Sequence, residues 1–282
     1  MTLSNITDTI QLADGNQMPG LGFGTYLIND QDTMDHSIQT AWDAGYRLID
    51  TAMLYRNEDL LGTSLQKLSL PREALFLTSK VAEIVQGYDQ TMKAVEGSLK
   101  RLQTNYLDLL LIHWPVREHF FETWKALEQL KANGQVKSIG VSNYTIAHLE
   151  LLALKAKEMP VVNQVEYHPY LNQQALVDYD REQNIVTEAW SPLGRRVVLD
   201  DPMIAKMAKH HQKTVAQVIL RWELQHGVLP IPKSTHAERI QENAGIFDFT
   251  LAEDEMGMID LLNKNQRTGN EPEIVYETGK QY

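Results

Sequence analysis

The chain has 282 residues, of which 43% are hydrophobic, and this is enough for one large core such as that of an α/β barrel of about 250 residues. It carries 26 Lys and Arg against 37 Asp and Glu, a formal net charge of −11, which argues against a surface for nucleic acid or anionic membrane. It has no cysteine, so disulfides and thiolate chemistry are excluded.

The first residues, MTLSNITDTIQLADG, have neither the basic region nor the apolar run of a secretory signal. Nowhere does an apolar run reach the ~20 residues that a bilayer requires. We therefore expect a cytoplasmic protein, a monomer, with no membrane partner and no nucleic-acid partner. Farther along, two apolar segments flank Asp14-Gly15, a pair that favours the turn of a β-hairpin.

After this hairpin, short β-type runs alternate with amphipathic segments at helical spacing. The strand candidates are LGFGT, RLIDTA, LFLTSKV, LDLLLIHW, SIGVSN, VVNQVEYH, IVTEAWSP and VLPIPKS. Because helices separate nearly all of them, the strands should be parallel, and eight such units predict an α/β fold, a closed (β/α)8 TIM barrel. We expect a single domain over residues 1–282, with the N-terminal β-hairpin as a plug over the N-terminal end of the barrel. DPMIAKMAKHH and LAEDEMGMIDLLNK predict extra helices near the C-terminus.

Four chemically active side chains follow the predicted strands. Asp50 ends the second strand and Tyr55 lies in the loop after it. Lys80 ends the third strand, and His113 belongs to the fourth. Because the active sites of such barrels lie at the C-terminal ends of the strands, these four residues are expected to gather at one rim.

Their chemistry is complementary. An isolated tyrosine has a pKa near ~10, and a neighbouring ammonium such as Lys80 favours the phenolate and lowers that pKa. Asp50 would hold Lys80 charged, so that Tyr55 becomes a usable general acid, and His113 could hydrogen-bond a carbonyl oxygen. The group contains no electron donor, so carbonyl reduction would need a hydride from a cofactor.

The same four residues are also compatible with structural roles and with different chemistry. Each residue by itself is more often structural: a cap, a salt-bridged lysine, a strand-end histidine, a surface tyrosine. A different enzyme class would use Lys80 as the nucleophile of a Schiff-base lyase, which requires a neutral lysine. A non-catalytic, cofactor-sensing subunit could be built on the same fold.

The segment IPKSTHAERIQEN is the best candidate for binding a cofactor phosphate. Lys233 and Ser234 end the last strand, and Arg239 lies in the first turns of a helix that should begin near Thr235. Helix N-termini attract phosphate, and cations add charge-assisted bonds. The run GLGFGTY does not match G-x-G-x-x-G, which argues against a Rossmann site. No metal is expected, because His210 and His211 are adjacent rather than four residues apart.

The ordered set DTAMLYRNE, LTSK, LDLLLIHWP, GVSN, NQVEYHP, SPLG and IPKSTHAERIQEN resembles the aldo-keto reductase family, and most closely its prokaryotic diketogluconate reductase-like branch. The resemblance covers nearly the whole chain. It implies reduction of aldehydes and ketones to alcohols, with NADPH/NADP+ as cofactor and a small carbonyl compound as substrate. It also implies that Asp50, Tyr55, Lys80 and His113 are the catalytic residues, with Tyr55 as proton donor.

The resemblance assigns the cofactor contacts as well. These are Ser142, Asn143 and Gln164 at the carboxamide, Trp190 on the nicotinamide, Ser191 and Leu193 at the pyrophosphate, Lys233, Ser234 and Arg239 at the 2′-phosphate, and Glu242 and Asn243 at the adenine. The family commonly has tyrosine where this chain has Trp190, and often a tryptophan in the segment after Lys80, where this chain reads Val81-Ala82-Glu83. We therefore expect a substrate pocket of altered shape or polarity. Its predicted lining is Tyr26, Met53, Leu54, Trp114 and tail residues after Asn265.

Overall fold

The computed structural model describes residues 3–281. Its strands are β1 (Thr9–Gln11), β2 (Gln17–Pro19), β3 (Gly22–Gly24), β4 (Leu48–Asp50), β5 (Phe76–Val81), β6 (Leu107–Ile112), β7 (Val136–Ser142), β8 (Val162–Glu166), β9 (Val186–Trp190) and β10 (Leu229–Pro230). Its helices are α1 (Gln31–Asp43), α2 (Glu58–Lys67), α3 (Tyr88–Arg101), α4 (Phe120–Ala132), α5 (Ile146–Ala153), α6 (Gln174–Glu182), α7 (Pro202–His211), α8 (Val215–Gln225), α9 (Ala237–Ala244), α10 (Glu253–Asp260) and α11 (Pro272–Thr278).

Strands β3 to β10 form one sheet of eight parallel strands in chain order. The ring is closed between its first and last strands, where the Gly24 N–H donates to the carbonyl of Pro232 at 3.2 Å. A Cβ at Gly22 would lie 2.6 Å from Cγ2 of Ile231, so this close approach requires glycine. The expected TIM barrel is confirmed, and the glycines of the first barrel strand serve its closure.

The barrel strands are buried because helices cover their outer face and side chains fill their interior. Every residue of β5 and β6 is buried, as the continuous apolar runs predict for parallel strands covered on both faces. Local signals set the helix starts: Asp30 accepts from the Thr33 N–H at the start of α1, and Thr214 with Gln217 forms a capping box at α8.

The predicted hairpin is also present, as the antiparallel pair of β1 and β2. Gly15 in its turn has φ +89°, a conformation that glycine adopts without strain. The side chain of Asn16 donates to the Lys137 carbonyl and to Ser138 Oγ, at the start of β7, so the hairpin lies at the N-terminal end of the barrel.

Both predicted extra helices are formed, as α7 and α10, and α11 is a further one. Among residues 3–281, no helix is both long enough and apolar enough to cross a membrane.

Candidate active site

Asp50 and Lys80 form an ion pair inside the C-terminal mouth of the barrel. They lie on the neighbouring strands β4 and β5, and Lys80 Nζ is 2.6 Å from Asp50 Oδ1 and 2.7 Å from Oδ2. Nζ also donates to the Thr51 carbonyl at 2.9 Å. Both side chains are buried, with 0% of Lys80 and 2% of Asp50 exposed.

Tyr55 stands directly over this pair. It ends a 3-10 turn, Met53–Tyr55, and its hydroxyl is 3.4 Å from Lys80 Nζ. The turn is held in place by the buried side chain of Asn57, which donates to the carbonyls of Thr25 and Ile28 and accepts from Thr51. Asn57 therefore ties the Tyr55 loop to the loop after β3. Its role was not predicted, although its position two residues after the phenol was a possible signal.

Burial and neighbouring groups together shift the pKa values of Lys80, Tyr55 and His113. Burial by itself lowers the pKa of Lys80, but the carboxylate of Asp50 and the neighbouring phenol of Tyr55 raise it above its ordinary value, so Lys80 stays an ammonium. Burial raises the pKa of Tyr55 to about 12, against the opposing effect of Lys80. Lys80 does lower the pKa of Tyr55 as predicted, but the net shift is upward, because loss of solvation outweighs one nearby cation.

His113 completes the group as a neutral imidazole. It lies just after β6, with its ring centroid 5.8 Å from that of Tyr55. Burial, and then the charge of Lys80, hold the pKa of His113 well below its ordinary value. Its Nδ1 is buried and has no hydrogen-bond partner among the described residues. A neutral imidazole at this place can donate a hydrogen bond without adding charge to the site.

One cavity of about 750 Å³ joins this group to the predicted phosphate site. Most of the predicted site residues line it: Tyr26, Asp50, Leu54, Tyr55, His113, Trp114, Asn143, Gln164, Trp190, Ser191, Leu193, Lys233, Ser234, Arg239, Glu242 and Asn243. Three do not: Lys80 is covered by Tyr55, the Ser142 hydroxyl donates to the Gln164 carbonyl, and Met53 packs against the core. Met53 lies in the 3-10 turn before Tyr55 and is only partly buried, so its place in the substrate pocket stays a prediction.

The middle of the cavity is built around Trp190. Its indole nitrogen donates to Asn143 Oδ1 at 2.8 Å, and its ring lies 6.4 Å from that of Trp114 in an edge-to-face arrangement. Gly269 lies against the other side, where an added Cβ would be 2.4 Å from the Trp190 ring. This tail segment is fastened by Glu166, which accepts from the Thr268 and Gly269 N–H groups. The indole is thus fixed on the cavity wall.

The far end of the cavity carries the predicted phosphate ligands. Helix α9 begins at Ala237, two residues later than expected, and Ser234 Oγ accepts from the His236 N–H before it. Lys233 stays accessible to solvent, although partial burial lowers its pKa. The arrangement presents two cations, Lys233 and Arg239, with a hydroxyl at a helix start, which suits a phosphate group.

The chain matches the model of the Aldo/keto reductase family over residues 20–264. This chain belongs to that family. It is 47% identical over 270 residues to the glyoxal reductase of Bacillus subtilis, covering 96% of this chain and 98% of that protein. It is 41% identical to the methylglyoxal reductase DkgA of Escherichia coli, covering 94% and 96%.

Solved structures agree with this aldo-keto reductase assignment. The aldo/keto reductase from Brucella melitensis has 45% identity and a TM-score of 0.87, over 91% of this chain and 100% of that one. The Bombyx mori aldo-keto reductase, solved in complex with NADP, has 33% identity and a TM-score of 0.89, over 96% and 98%. The predicted family, fold and class, an NADP-linked oxidoreductase acting on carbonyl groups, are confirmed.

In this aldo-keto reductase, two arginines on the cavity wall were not predicted. Arg195 and Arg196 follow the SPLG motif in a loop with positive φ values of 47° and 82°. Their adjacency in a rim loop was the signal that could have revealed them. Both are exposed and line the same cavity as Trp190 and Arg239. They add positive charge to a chain that is acidic as a whole.

The tail of the chain reaches the opposite end of the cavity. Gln281 lines it and donates to Glu83 Oε1 at 2.5 Å. Glu83 is buried, and burial raises its pKa. The segment after Lys80 thus places a carboxyl group, bonded to the tail, beside the predicted substrate pocket.

One cluster of possible metal donors occurs among residues 3–281, formed by His210, His211 and Glu255, whose donor atoms lie within 4.8 Å of one another. It lies at the end of α7, and none of its three residues lines the cavity. Glu255 already accepts from the Ala252 N–H and pairs with His211. Glu255 thus caps the first turn of α10 and is already paired with a histidine of α7.

Proposed function

We propose that this chain reduces aldehydes and ketones to alcohols with a hydride from NADPH, and that Tyr55 is the general acid. The observation that carries the proposal is the position of the Tyr55 hydroxyl, 3.4 Å from Lys80 Nζ, on the wall of a cavity of about 750 Å³ that Lys233 and Arg239 also line. Family membership supports the reaction class.

The proton balance follows from the charge states. A Tyr55 with a pKa of about 12 is fully protonated at neutral pH and always holds the proton it must give. As a carbonyl oxygen gains negative charge, that proton passes from Tyr55 to the oxygen, and the phenolate that remains is stabilised by Lys80. Asp50 keeps Lys80 charged and aimed. A nicotinamide cofactor held in this cavity would supply the hydride for the carbonyl carbon.

The neutral state of His113 suits it to place the substrate. A neutral imidazole donates to the carbonyl oxygen without competing with Tyr55 as the acid. The charged, shielded state of Lys80 disfavours the Schiff-base alternative, because a nucleophilic lysine must be neutral and accessible.

Several groups along the cavity are placed to bind NADPH. Lys233, Ser234 and Arg239 would hold the 2′-phosphate, and Arg195 with Arg196 would meet the pyrophosphate. Trp190 offers a flat ring, fixed by Asn143, on which a nicotinamide can stack. Glu242 and Asn243 would reach the adenine.

The substrates we propose are small aldehydes that carry a second oxygen function next to the carbonyl. The names of two relatives, glyoxal reductase and methylglyoxal reductase, support this class. At the catalytic end, the cavity wall combines the aromatic rings of Tyr26 and Trp114 with the polar Gln281. Such a wall can cover a small carbon skeleton and hydrogen-bond a second oxygen.

Substituting the phenol tests the proposal. Tyr55→Phe should bind NADPH as the wild type does and lose about 10²–10⁴-fold in kcat with methylglyoxal, because only the proton donor is removed. Tyr144→Phe is the matched control, since the buried Tyr144 hydroxyl has no partner among the described residues. Near-normal turnover by Tyr55→Phe would overturn the general-acid assignment. Absence of NADPH binding and turnover in the wild type would overturn the function itself.

A further inference from the structure

Another buried carboxyl group, Glu188, is joined through Gln164 to the Asp50–Lys80 pair. It is on β9, directly beside Gln164 of β8 in the parallel register. Its side chain is 0% exposed, and Oε1 has no hydrogen-bond partner among the described residues. Burying an acid here is costly, and no described contact of Oε1 offsets that cost. This invites a functional explanation.

Gln164 connects Glu188 to the catalytic pair. Its Nε2 donates to Asp50 Oδ2 at 2.9 Å and to Glu188 Oε2 at 2.6 Å. Strands β4 and β8 are separated by three strands on either side of the ring, so the amide of Gln164 spans the barrel interior to reach Asp50. The atom between the two carboxyl groups must be the nitrogen, because ionised Asp50 only accepts hydrogen bonds.

The two N–H groups of the Gln164 amide therefore donate one hydrogen bond each, one to Asp50 and one to Glu188. An amide has two donors on nitrogen and an acceptor oxygen, so this arrangement leaves Oε1 as the group that Gln164 can offer to the cavity it lines. Without Glu188, one N–H would be unpaired in the interior, and the amide could turn to satisfy it.

Glu188 is suited to this task as a neutral acid. Burial, and then the charge of Asp50, raise the pKa of Glu188 to about 8, against the effects of Gln164 and Lys80. The register neighbours of Glu188 on β8 and β10 are the uncharged Gln164 and Leu229. At neutral pH the carbonyl oxygen of Glu188 accepts from Gln164 while the pair beneath the phenol stays electrically balanced.

We infer that Glu188 is a positioning residue, which fixes the Gln164 amide so that Oε1 accepts a hydrogen bond from the carboxamide N–H of the nicotinamide. The inference rests on the proposed function, since it requires NADP(H) in the cavity. It assigns Glu188 a part in cofactor recognition although Glu188 does not line the cavity.

The test compares two cofactors that differ only at the carboxamide. NADP+ has the carboxamide N–H, whereas its 3-acetylpyridine analogue has a methyl group there and keeps the carbonyl. Dissociation constants of both are measured from quenching of tryptophan fluorescence, because Trp114 and Trp190 line the cavity. Wild-type protein should prefer NADP+ by about tenfold, the value of one hydrogen bond.

Glu188→Leu should bind NADP+ about tenfold more weakly and bind the analogue nearly unchanged, so that the preference is lost. Glu188→Gln should restore it, since its side-chain oxygen can accept from Gln164. Glu223→Leu is the matched control: Glu223 is a fully buried acid of α8 without a hydrogen-bond partner for either oxygen among the described residues, and its loss should leave the preference intact. If Glu188→Leu does not fold, Glu188→Ala replaces it with the same expectation.

The outcomes separate the two proposals. A wild-type protein that binds no NADP+ and reduces no aldehyde would overturn the proposed function. Wild-type turnover and binding, together with an unchanged cofactor preference in folded Glu188→Leu or Glu188→Ala, would overturn the role of Glu188 alone. Equal weakening of both cofactors in these variants would also overturn it, because that is the effect of a general structural disturbance.

Discussion

The carboxylate of Asp50 holds the ammonium of Lys80 with both oxygens, at 2.6 and 2.7 Å, in a place where both side chains are buried. Two opposite charges in such an environment depend on each other. Removing one partner leaves an uncompensated buried charge, whereas removing both leaves none. The pair therefore connects the stability of the barrel to the chemistry of the phenol above it.

This dependence predicts a non-additive effect on stability. Asp50→Ala should lower the free energy of unfolding by about 3–5 kcal/mol, because Lys80 is left buried without its counter-ion. The double variant Asp50→Ala/Lys80→Met should recover most of this loss, since Met keeps the length of the side chain without its charge. Urea unfolding followed by circular dichroism measures both. A double variant as unstable as the sum of the single ones would show that the two charges act independently.

The pH dependence of reduction follows from the pKa of Tyr55. The protonated phenol of Tyr55 is the active form, and burial raises its pKa to about 12. Reduction that depends on this proton therefore persists at lower pH and is lost only as the pH approaches the pKa of Tyr55. His113 is neutral throughout, because its pKa is lowered well below its ordinary value. The kcat for reduction should therefore be level between pH 6 and pH 7.5 on account of both groups.

Steady-state kcat measured with saturating NADPH and methylglyoxal checks this profile. Glu188 has a pKa of about 8, so its ionisation can change kcat at higher pH. Glu188→Gln should remove this change, because a glutamine side chain does not ionise. A fall in kcat below pH 7 that is centred on the ordinary pKa of a histidine would contradict the neutral state of His113.

Arg239 should determine the preference for the phosphorylated cofactor. It lines the α9 end of the cavity together with Lys233 and Ser234. Arg239→Ala should weaken NADPH binding by about 10–100-fold, the value of a charge-assisted hydrogen bond, and affect NADH little, because NADH lacks the 2′-phosphate. Fluorescence titration with both cofactors is the measurement. Equal losses for NADPH and NADH would contradict the phosphate contact.

The two arginines after the SPLG motif should act on both cofactors instead. Arg195→Gln/Arg196→Gln removes two exposed charges from the cavity wall and should raise the KM of NADPH and NADH by a similar factor, because the pyrophosphate is common to them. The effect should shrink at high salt, since exposed charges are screened. Lys209, an exposed cation of α7 outside the cavity lining, provides the control as Lys209→Gln. An unchanged KM of both cofactors in the double variant would contradict the proposed contact of Arg195 and Arg196 with the pyrophosphate.

Much of the fold could be predicted because its signals are local. The alternation of apolar runs with amphipathic segments predicted the strands and helices, and a barrel of parallel strands places their ends at one rim. Asp50 and Lys80 could therefore be assigned to one site from their positions at strand ends. The turn at Asp14-Gly15 likewise predicted the hairpin from residue preference alone.

Other features arise only when distant segments meet. Burial of Tyr55 by loops from several parts of the chain reverses the expected direction of its pKa shift, because the cost of desolvation depends on everything packed around the phenol. The fastening of the Gln281 tail to Glu83 could not be read from either segment. Leu54 lines the cavity whereas its neighbour Met53 packs partly against the core, a difference that the sequence did not indicate.

The sequence by itself thus determined which residue types stand at the mouth of the barrel, since strand periodicity and strand order are encoded locally. Only the tertiary structure decided what those residues do to one another. Asp50, Gln164 and Glu188 come from three separate strands, yet two hydrogen bonds of 2.9 and 2.6 Å join them across the barrel. Such contacts depend on closure of the ring, which brings together groups more than a hundred residues apart and removes the water that would otherwise screen them.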